Sequence, residues 1–138
     1  MISFTVFGVP VAQGRPRASA KNGFVKLYDP EKSRSYKELV YSEAVKVRPG
    51  VPMANELSVV ITAYFPIPKS KSNKWQKEAL SGYINPTTKP DTDNIAKIIL
   101  DSVNGILFID DKQVVELTVR KRYSDSPRVE VEIREAKC

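Results

Sequence analysis

The chain has 138 residues, a formal net charge of +6, one cysteine and no histidine. Without histidine, Ser-His and Cys-His catalysis and metal sites built on imidazole are excluded. The single cysteine excludes a disulfide framework and fits a reducing, cytoplasmic location. No long apolar run or charged apolar leader is present, so neither a membrane span nor a secretory signal is predicted. The length predicts one domain, residues 1–138.

The first third of the chain is predicted to hold two strands and a helix. Residues 2–9 alternate apolar and polar side chains, which predicts a strand, and residues 24–28 predict a second, shorter one. Residues 10–22 are rich in Arg, Gly, Pro and Ala and predict a loop between them. A helix is predicted over residues 31–47. Its apolar stripe consists of Tyr36, Leu39, Val40 and Ala44.

The remainder of the chain adds three strands and two helices. Residues 57–65 give the clearest strand pattern. A short helix is predicted over residues 75–80 and a longer one over residues 92–103. Residues 114–123 and 129–133 also alternate, and the turn between them predicts an antiparallel hairpin. The pattern as a whole predicts an α+β fold, with a mostly antiparallel sheet of about four strands and two or three helices packed on it.

Positive charge is concentrated in two segments. Residues 15–48 hold nine Lys or Arg against four acids, and residues 69–89 hold five Lys against one acid. The two segments flank an acidic one, as expected where a metal site must meet a phosphodiester. A solvated loop is an equally good interpretation of residues 15–17. The candidate phosphate-binding residues are Arg15, Arg17, Lys69, Lys71, Lys74 and Lys89.

The only tryptophan, Trp75, lies in the second basic segment. An aromatic side chain in a basic loop can stack on an unpaired base near a branch point in DNA. More often, a tryptophan in this position anchors a short helix to the core. The sequence favours the anchoring role and leaves the stacking role open.

Five aspartates lie close together between residues 89 and 113 of this basic chain. They are Asp91, Asp93, Asp101, Asp110 and Asp111. Their mutual repulsion costs stability unless a positive charge offsets it, and a hard divalent cation is the obvious candidate because Mg²⁺ prefers oxygen ligands. The alternative is ordinary structure, namely helix caps, a surface ion pair between Asp93 and Lys97, and a turn at the last two aspartates.

The predicted helix over residues 92–103 has one polar stripe. At about 100° per residue, Asp93, Asn94, Lys97 and Asp101 fall on this stripe. Gly105 is expected to end the helix in the left-handed conformation. Residues 106–109 then form a short strand or turn. Whether this turn carries the last two aspartates back beside the first two is a hypothesis that spacing cannot test.

The acidic segment combines many polar positions at fixed spacing. Lys89-Pro90-Asp91-Thr92-Asp93-Asn94 is followed by Lys97, Asp101, Asn104-Gly105 and Asp110-Asp111-Lys112-Gln113-Val114. This segment resembles the RusA family of Holliday junction resolvases, whose pattern is Pro-Asp-x-Asp-Asn, a Lys four residues after the second Asp, and then Asp-Asp-x-Gln-Val. Gly8-x-Pro10 and Arg15-Pro16-Arg17 also resemble the family's N-terminal region. The resemblance covers most of the chain and is strong at residues 89–115.

The resemblance implies the RusA fold, a homodimer, and metal-dependent cleavage of branched DNA, with four-way junctions as the substrate in recombination and repair. It implies that Asp91, Asp93 and Asp111 bind Mg²⁺, with Mn²⁺ as a substitute. Lys97 would stabilise charge on the phosphate or orient the attacking water. Asp110 is an alternative ligand to Asp111, because neighbouring side chains point in different directions.

Further alternatives stay open at this point. Asp101 is either a partner of Lys97 at the i,i+4 spacing or an ordinary acid on the helix surface. The protein is either a nuclease for four-way junctions, a nuclease for flaps or forks, or a DNA-binding protein without catalysis in which the acids only cap helices. No protein partner other than a second copy, and no membrane association, is inferred.

Overall fold

The computed structural model describes residues 1–15, 17–21, 23–28 and 30–136. Within these ranges the helices and strands fall close to their predicted bounds. In chain order they are β1 (Ile2–Phe7), β2 (Arg17–Lys21), β3 (Phe24–Tyr28), α1 (Glu31–Lys46), β4 (Leu57–Phe65), α2 (Asn73–Leu80), α3 (Thr92–Val103), a 3₁₀ turn (Asp111–Gln113), β5 (Val114–Tyr123) and β6 (Arg128–Glu135). No helix of the described residues is long and apolar enough to cross a membrane.

Four strands form the main sheet in the order β1-β6-β4-β5, and β2 pairs with β3 in a separate two-stranded sheet. β6 is antiparallel to both β1 and β4, whereas β4 and β5 are parallel. Parallel neighbours need a long crossover connection, and residues 66–113, which include α2 and α3, supply it. The fold is therefore α+β with a mostly antiparallel sheet, which confirms the predicted class.

The predicted hairpin between β5 and β6 is wrong, because β4 lies between these two strands. The turn that joins them passes over the end of β4, where the Ser124 amide donates a hydrogen bond to the Phe65 carbonyl at 2.9 Å. The chain therefore crosses two strand spacings, about 10 Å, before β6 begins. In this position β6 has a neighbour on each side, and its alternate residues Val129, Val131 and Ile133 are buried.

The helices cover the apolar side of the sheet. α1 packs against α3 and β1, and α3 also packs against β5. Every second residue of β4 is buried, as its alternating sequence predicts. α3 buries Ile95, Ala96, Ile98, Ile99, Ser102 and Val103 in the same core. The opposite side of α3 is exposed, which confirms its predicted polar stripe.

Two segments differ from or refine the sequence prediction. The predicted loop over residues 10–22 contains β2, which has little apolar alternation and is a strand because it pairs with β3. Residues 106–109 form a turn, and Gly105 precedes it with φ 81° as expected. Leu107 and Phe108 in this turn are fully buried. The Met53 amide donates a hydrogen bond to the Leu107 carbonyl, and the Met53 carbonyl accepts one from the Ile109 amide. These bonds attach the turn to the segment before β4.

Candidate active site

Asp91 stands at the N-cap position of α3. Its backbone carbonyl accepts a hydrogen bond from the Ile95 amide at 3.1 Å, so the backbone begins the helix in the usual way. The Asp91 side chain is exposed and makes no capping hydrogen bond. Asp91 therefore caps α3 only through its main chain. Helix capping does not explain why a carboxylate stands at this position.

Asp93, Lys97 and Asp101 are exposed on successive turns of α3. Four residues advance an α-helix by about 6 Å, so these side chains form a line along the helix. The ion pairs found among the described residues lie elsewhere, on α1 and β6, and none joins Asp93 to Lys97 within 4.0 Å. The interpretation of these two residues as an ordinary surface ion pair is therefore not supported.

Asp110 and Asp111, which we call the acidic turn, open the 3₁₀ turn before β5. The Asp110 carboxylate accepts a hydrogen bond from the Lys112 amide at 3.0 Å. The Gln113 side-chain oxygen accepts one from the Asp110 amide at 2.8 Å, which completes a capping box. The Gln113 side-chain nitrogen donates to the carbonyls of Met53 and Asn55 at 2.9 and 3.0 Å. Gln113 therefore ties the acidic turn to the segment before β4.

The hydrogen bonds of Gln113 were not predicted from the sequence, where the residue was noted only as part of a motif. The spacing Asp110-x-x-Gln113 is the signature of a capping box and could have indicated the bond to the Asp110 amide. The bonds to Met53 and Asn55 join residues 58 and 60 positions apart, and no local pattern predicts them.

The two carboxyl groups of the acidic turn influence each other. The backbone hydrogen bond from Lys112, and then a hydrogen bond from the Asp111 carboxyl, lower the pKa of Asp110. The same hydrogen bond to Asp110 raises the pKa of Asp111, and desolvation and the charges of Asp110 and Asp101 act in the same direction. Two carboxylates in such proximity repel each other when both are ionised, and a bound cation would relieve that repulsion.

The acids around α3 form two groups. Asp91 and Asp93, which we call the N-terminal pair, lie at the start of the helix. The second group is the acidic turn, and the charge of Asp101, in the last turns of the helix, helps to raise the pKa of Asp111. Asp93 and Asp101 are eight residues apart, or about 12 Å along the axis. Among the described residues, no three carboxylates are close enough together to hold one metal ion. The hypothesis that the turn at residues 106–109 brings the acidic turn beside the N-terminal pair stays a prediction.

The donor set nevertheless fits a hard cation. Mg²⁺ is often held by only one or two carboxylates, with water and substrate phosphate oxygens filling the other positions. Each of the two groups offers two aspartates, and three of these four side chains are exposed. The assignment of Asp91, Asp93 and Asp111, or Asp110 in its place, as ligands stays a prediction.

A cleft of about 470 Å³ adjoins the N-terminal pair, and we call it the basic cleft. The Gln13 amide donates a hydrogen bond to the Asn94 carbonyl at 3.1 Å, which holds the segment after β1 against α3. Arg15 and Lys89, far apart in the sequence, therefore lie together with Asp91. The cleft is lined by Ala12, Gln13, Gly14, Arg15, Lys89, Pro90, Asp91 and Asn94.

The second basic segment surrounds the start of α2. Lys69, Lys71 and Lys74 are exposed there. The ring of Trp75 packs edge to face on Tyr123, with 5.4 Å between the ring centroids, and the Lys71 ammonium lies 5.3 Å from the Trp75 centroid. Trp75 thus attaches α2 to the end of β5, which is the anchoring role that the sequence favoured.

Some predicted residues fall at or beyond the limits of the described structure. Arg17 begins β2, but its side chain is outside the described part of the chain. Pro16 of the Arg-Pro-Arg segment and the terminal Cys138 are also outside the described residues.

Exposed aspartates along one helix, with an arginine and a lysine in the adjoining cleft, define a site that suits a hard cation and a phosphodiester. The family model of endodeoxyribonuclease RusA matches residues 8–134, and the chain belongs to the RusA family. Family membership confirms the resemblance seen in the sequence and makes this a protein of an endodeoxyribonuclease family.

The chain is also similar to the uncharacterized protein YqaN of Bacillus subtilis (strain 168). The two are 48% identical over 136 residues, which cover 97% of this chain and 96% of that protein. The name of this relative states no activity, so the family carries the assignment of activity.

Proposed function

We propose that this protein is a cytoplasmic, metal-dependent endodeoxyribonuclease that resolves four-way (Holliday) junctions in recombination and repair. The observation that supports it best is the basic cleft, where Arg15 and Lys89 meet Asp91 in a chain of the RusA family. A phosphate bound by these two cations lies next to the N-terminal pair. Phosphate contacts of this kind fix the position of DNA on a protein without reading its sequence.

The metal ligands in this proposal are Asp91 and Asp93, with Asp111 or Asp110 from the acidic turn. A bound Mg²⁺ or Mn²⁺ supplies an activated water and polarises the scissile phosphate. Because no three carboxylates among the described residues are close enough together to hold one metal ion, phosphate oxygens and water would complete the coordination.

Lys97 acts on the phosphate in this proposal. It is exposed one helical turn after Asp93, on the same side of α3. Its ammonium group stabilises the negative charge that develops on the phosphate oxygens during hydrolysis. Asp101, one turn further, has the i,i+4 spacing at which opposite charges attract, but no ion pair within 4.0 Å joins it to Lys97 among the described residues.

We also propose that the protein acts as a homodimer, as its resemblance to the family implies. Separating a four-way junction into two duplexes requires cuts in two strands. Two copies of one site, related by a two-fold axis, match the symmetry of such a substrate.

The test is incubation of the protein with a synthetic four-way junction, in Mg²⁺ or in EDTA, followed by a denaturing gel. Strand cleavage in Mg²⁺ and none in EDTA is expected. Junction binding without cleavage in either Mg²⁺ or Mn²⁺ would show a DNA-binding protein without catalysis. Flap and fork substrates are tested in parallel. If one of them is cleaved faster than the junction, that substrate replaces the junction in the proposed function.

A further inference from the structure

β2 and β3 form a two-stranded antiparallel ribbon that pairs with no strand of the main sheet. The connection between them contains Gly23, with φ 79°. An isolated pair of strands is marginally stable in water at best. A further binding partner would therefore stabilise the ribbon.

The ribbon exposes large apolar side chains. Phe24, beside the connection, is 78% exposed, and Val25, Leu27 and Tyr28 are also exposed. Surfaces of this kind mark binding sites, because apolar groups favour removal from water. The aromatic residues stand at the two ends of β3.

The ribbon is also strongly basic. Residues 13–28 contain Arg15, Arg17, Lys21 and Lys26 and no acid. In the backbone register, Lys21 is opposite Phe24 and Arg17 is opposite Tyr28. Each end of the ribbon therefore has a cation position across from an aromatic one. Basic residues interleaved with aromatics are typical of surfaces that bind unpaired nucleotides.

The ribbon begins beside the basic cleft, because Arg15 lines that cleft and β2 starts two residues later. Five residues of strand extend about 17 Å. Phe24 is opposite Lys21, at the far end of β2, and base pairs are stacked about 3.4 Å apart, so one strand length corresponds to about five base pairs. DNA with one phosphate in the cleft is therefore within reach of the ribbon.

We propose that the ribbon is a DNA-binding arm, and that Phe24 stacks on a base exposed at the branch point. This inference rests on the proposed function and adds a reason why branched DNA would be preferred to continuous duplex. A continuous duplex exposes no base face unless a base is unstacked, which costs free energy, whereas the base pairs at an open branch point lack a stacked neighbour on one side. The positive charge of the ribbon attracts both substrates.

A second copy of the chain is the competing occupant, because Val25 and Leu27 could pack against another apolar surface. Charge favours DNA over that alternative. Two ribbons, each with several cations and no acid, repel each other, whereas a polyanion attracts both. Contact between copies is one of the outcomes that the experiment distinguishes.

The test uses the full chain in EDTA, so that no metal-dependent cleavage occurs, with a four-way junction carrying 2-aminopurine at the branch point and a matched duplex. Binding of the unaltered protein should change the 2-aminopurine fluorescence. Phe24→Ala should abolish that change and lower the preference for the junction over the duplex about 5- to 100-fold. Phe24→Leu, which lacks an aromatic face, should behave like Phe24→Ala, and Phe24→Trp should retain both properties.

The matched control is Tyr41→Ala, which removes an exposed aromatic side chain from α1 and should leave both properties unchanged. If the unaltered protein binds the junction and Phe24→Ala gives the same fluorescence and the same preference, the inference is wrong. If the unaltered protein does not bind the junction, the proposed function fails instead. If Phe24→Ala or the double variant Val25→Ser, Leu27→Ser converts a dimer to a monomer in light scattering, the ribbon is a contact between copies and the inference is overturned.

Discussion

At the scale of single residues, the carboxylates of the N-terminal pair are the sharpest test of the metal site. Asp91→Asn or Asp93→Asn should abolish cleavage, because the metal loses an anionic ligand. Junction binding should stay near normal or become tighter, since a negative charge beside DNA is removed. The measurements are single-turnover cleavage in Mg²⁺ and a binding titration in EDTA.

Asp125→Asn, at an exposed aspartate of the turn before β6, is the control and should cleave normally. A variant of Asp91 or Asp93 that cleaves at the unaltered rate would remove that residue from the site. Binding lost together with cleavage would indicate damage to the DNA surface rather than loss of a ligand.

Lys97 tests the stabilisation of phosphate charge. Because Lys97 is exposed and forms no ion pair with Asp93 among the described residues, Lys97→Ala should change the free energy of unfolding by no more than about 0.5 kcal/mol. The single-turnover rate should fall by about 10²-fold or more. Thermal unfolding and junction cleavage, measured on the same preparation, separate the two effects.

Lys46→Ala, at an exposed lysine of α1, is the matched control and should keep the full rate. A normal rate for Lys97→Ala would reduce Lys97 to a solvated surface residue. Failure of this variant to fold would contradict the exposure of the polar stripe of α3.

At the scale of elements, the acidic turn depends on the side chain of Gln113. Gln113→Ala removes the acceptor for the Asp110 amide and the donor for two carbonyls, at Met53 and Asn55. Loss of the Gln113 side-chain amide should reduce the free energy of unfolding by about 1–3 kcal/mol, because partly buried groups lose their hydrogen-bond partners. Denaturant unfolding at constant pH measures the loss.

Gln113→Glu separates the two ends of the amide. It keeps an acceptor for the Asp110 amide, but it cannot donate to the carbonyls and it adds negative charge beside the acidic turn. It should therefore be destabilised as well. A Gln113→Glu variant as stable as the unaltered protein would show that the bonds to Met53 and Asn55 contribute little.

At the scale of the whole molecule, the net charge of +6 and its two basic segments predict salt-sensitive DNA binding. Junction affinity should fall steeply as salt rises, because phosphate contacts release counterions. Charge reversal at Arg15 and Arg17 together should reduce the slope of log K against log salt by about 2, roughly 1 for each lost contact. Titrations at several salt concentrations measure this slope.

The matched control is charge reversal at Arg48 and Lys46, which lie at the far end of α1 and outside the basic cleft. This double variant should weaken binding less than charge reversal at Arg15 and Arg17 does, and its slope should be closer to that of the unaltered protein. An affinity that does not depend on salt would contradict nucleic-acid binding as a whole.

Features that depend on near neighbours in the chain were predictable from the sequence alone. The bounds of α3 and β4 were predicted to the residue, because burial repeats every 3.6 residues in a helix and every two in a strand, and both periods are visible in the side chains. The exposed stripe of α3 and the left-handed Gly105 follow from the same local rules. The polar spacing of residues 89–115 was sufficient to indicate the family.

The contacts between distant segments became visible only in the folded chain. β5 and β6 each pair with β4, because a strand pattern indicates burial but carries no information about its neighbour. The acidic turn lies against the segment before β4 because the buried turn after α3 and the long-range bonds of Gln113 hold it there. The basic cleft likewise joins Arg15 to Lys89 across 74 positions of sequence. Such contacts depend on how whole elements pack, and that packing is absent from any local stretch of the chain.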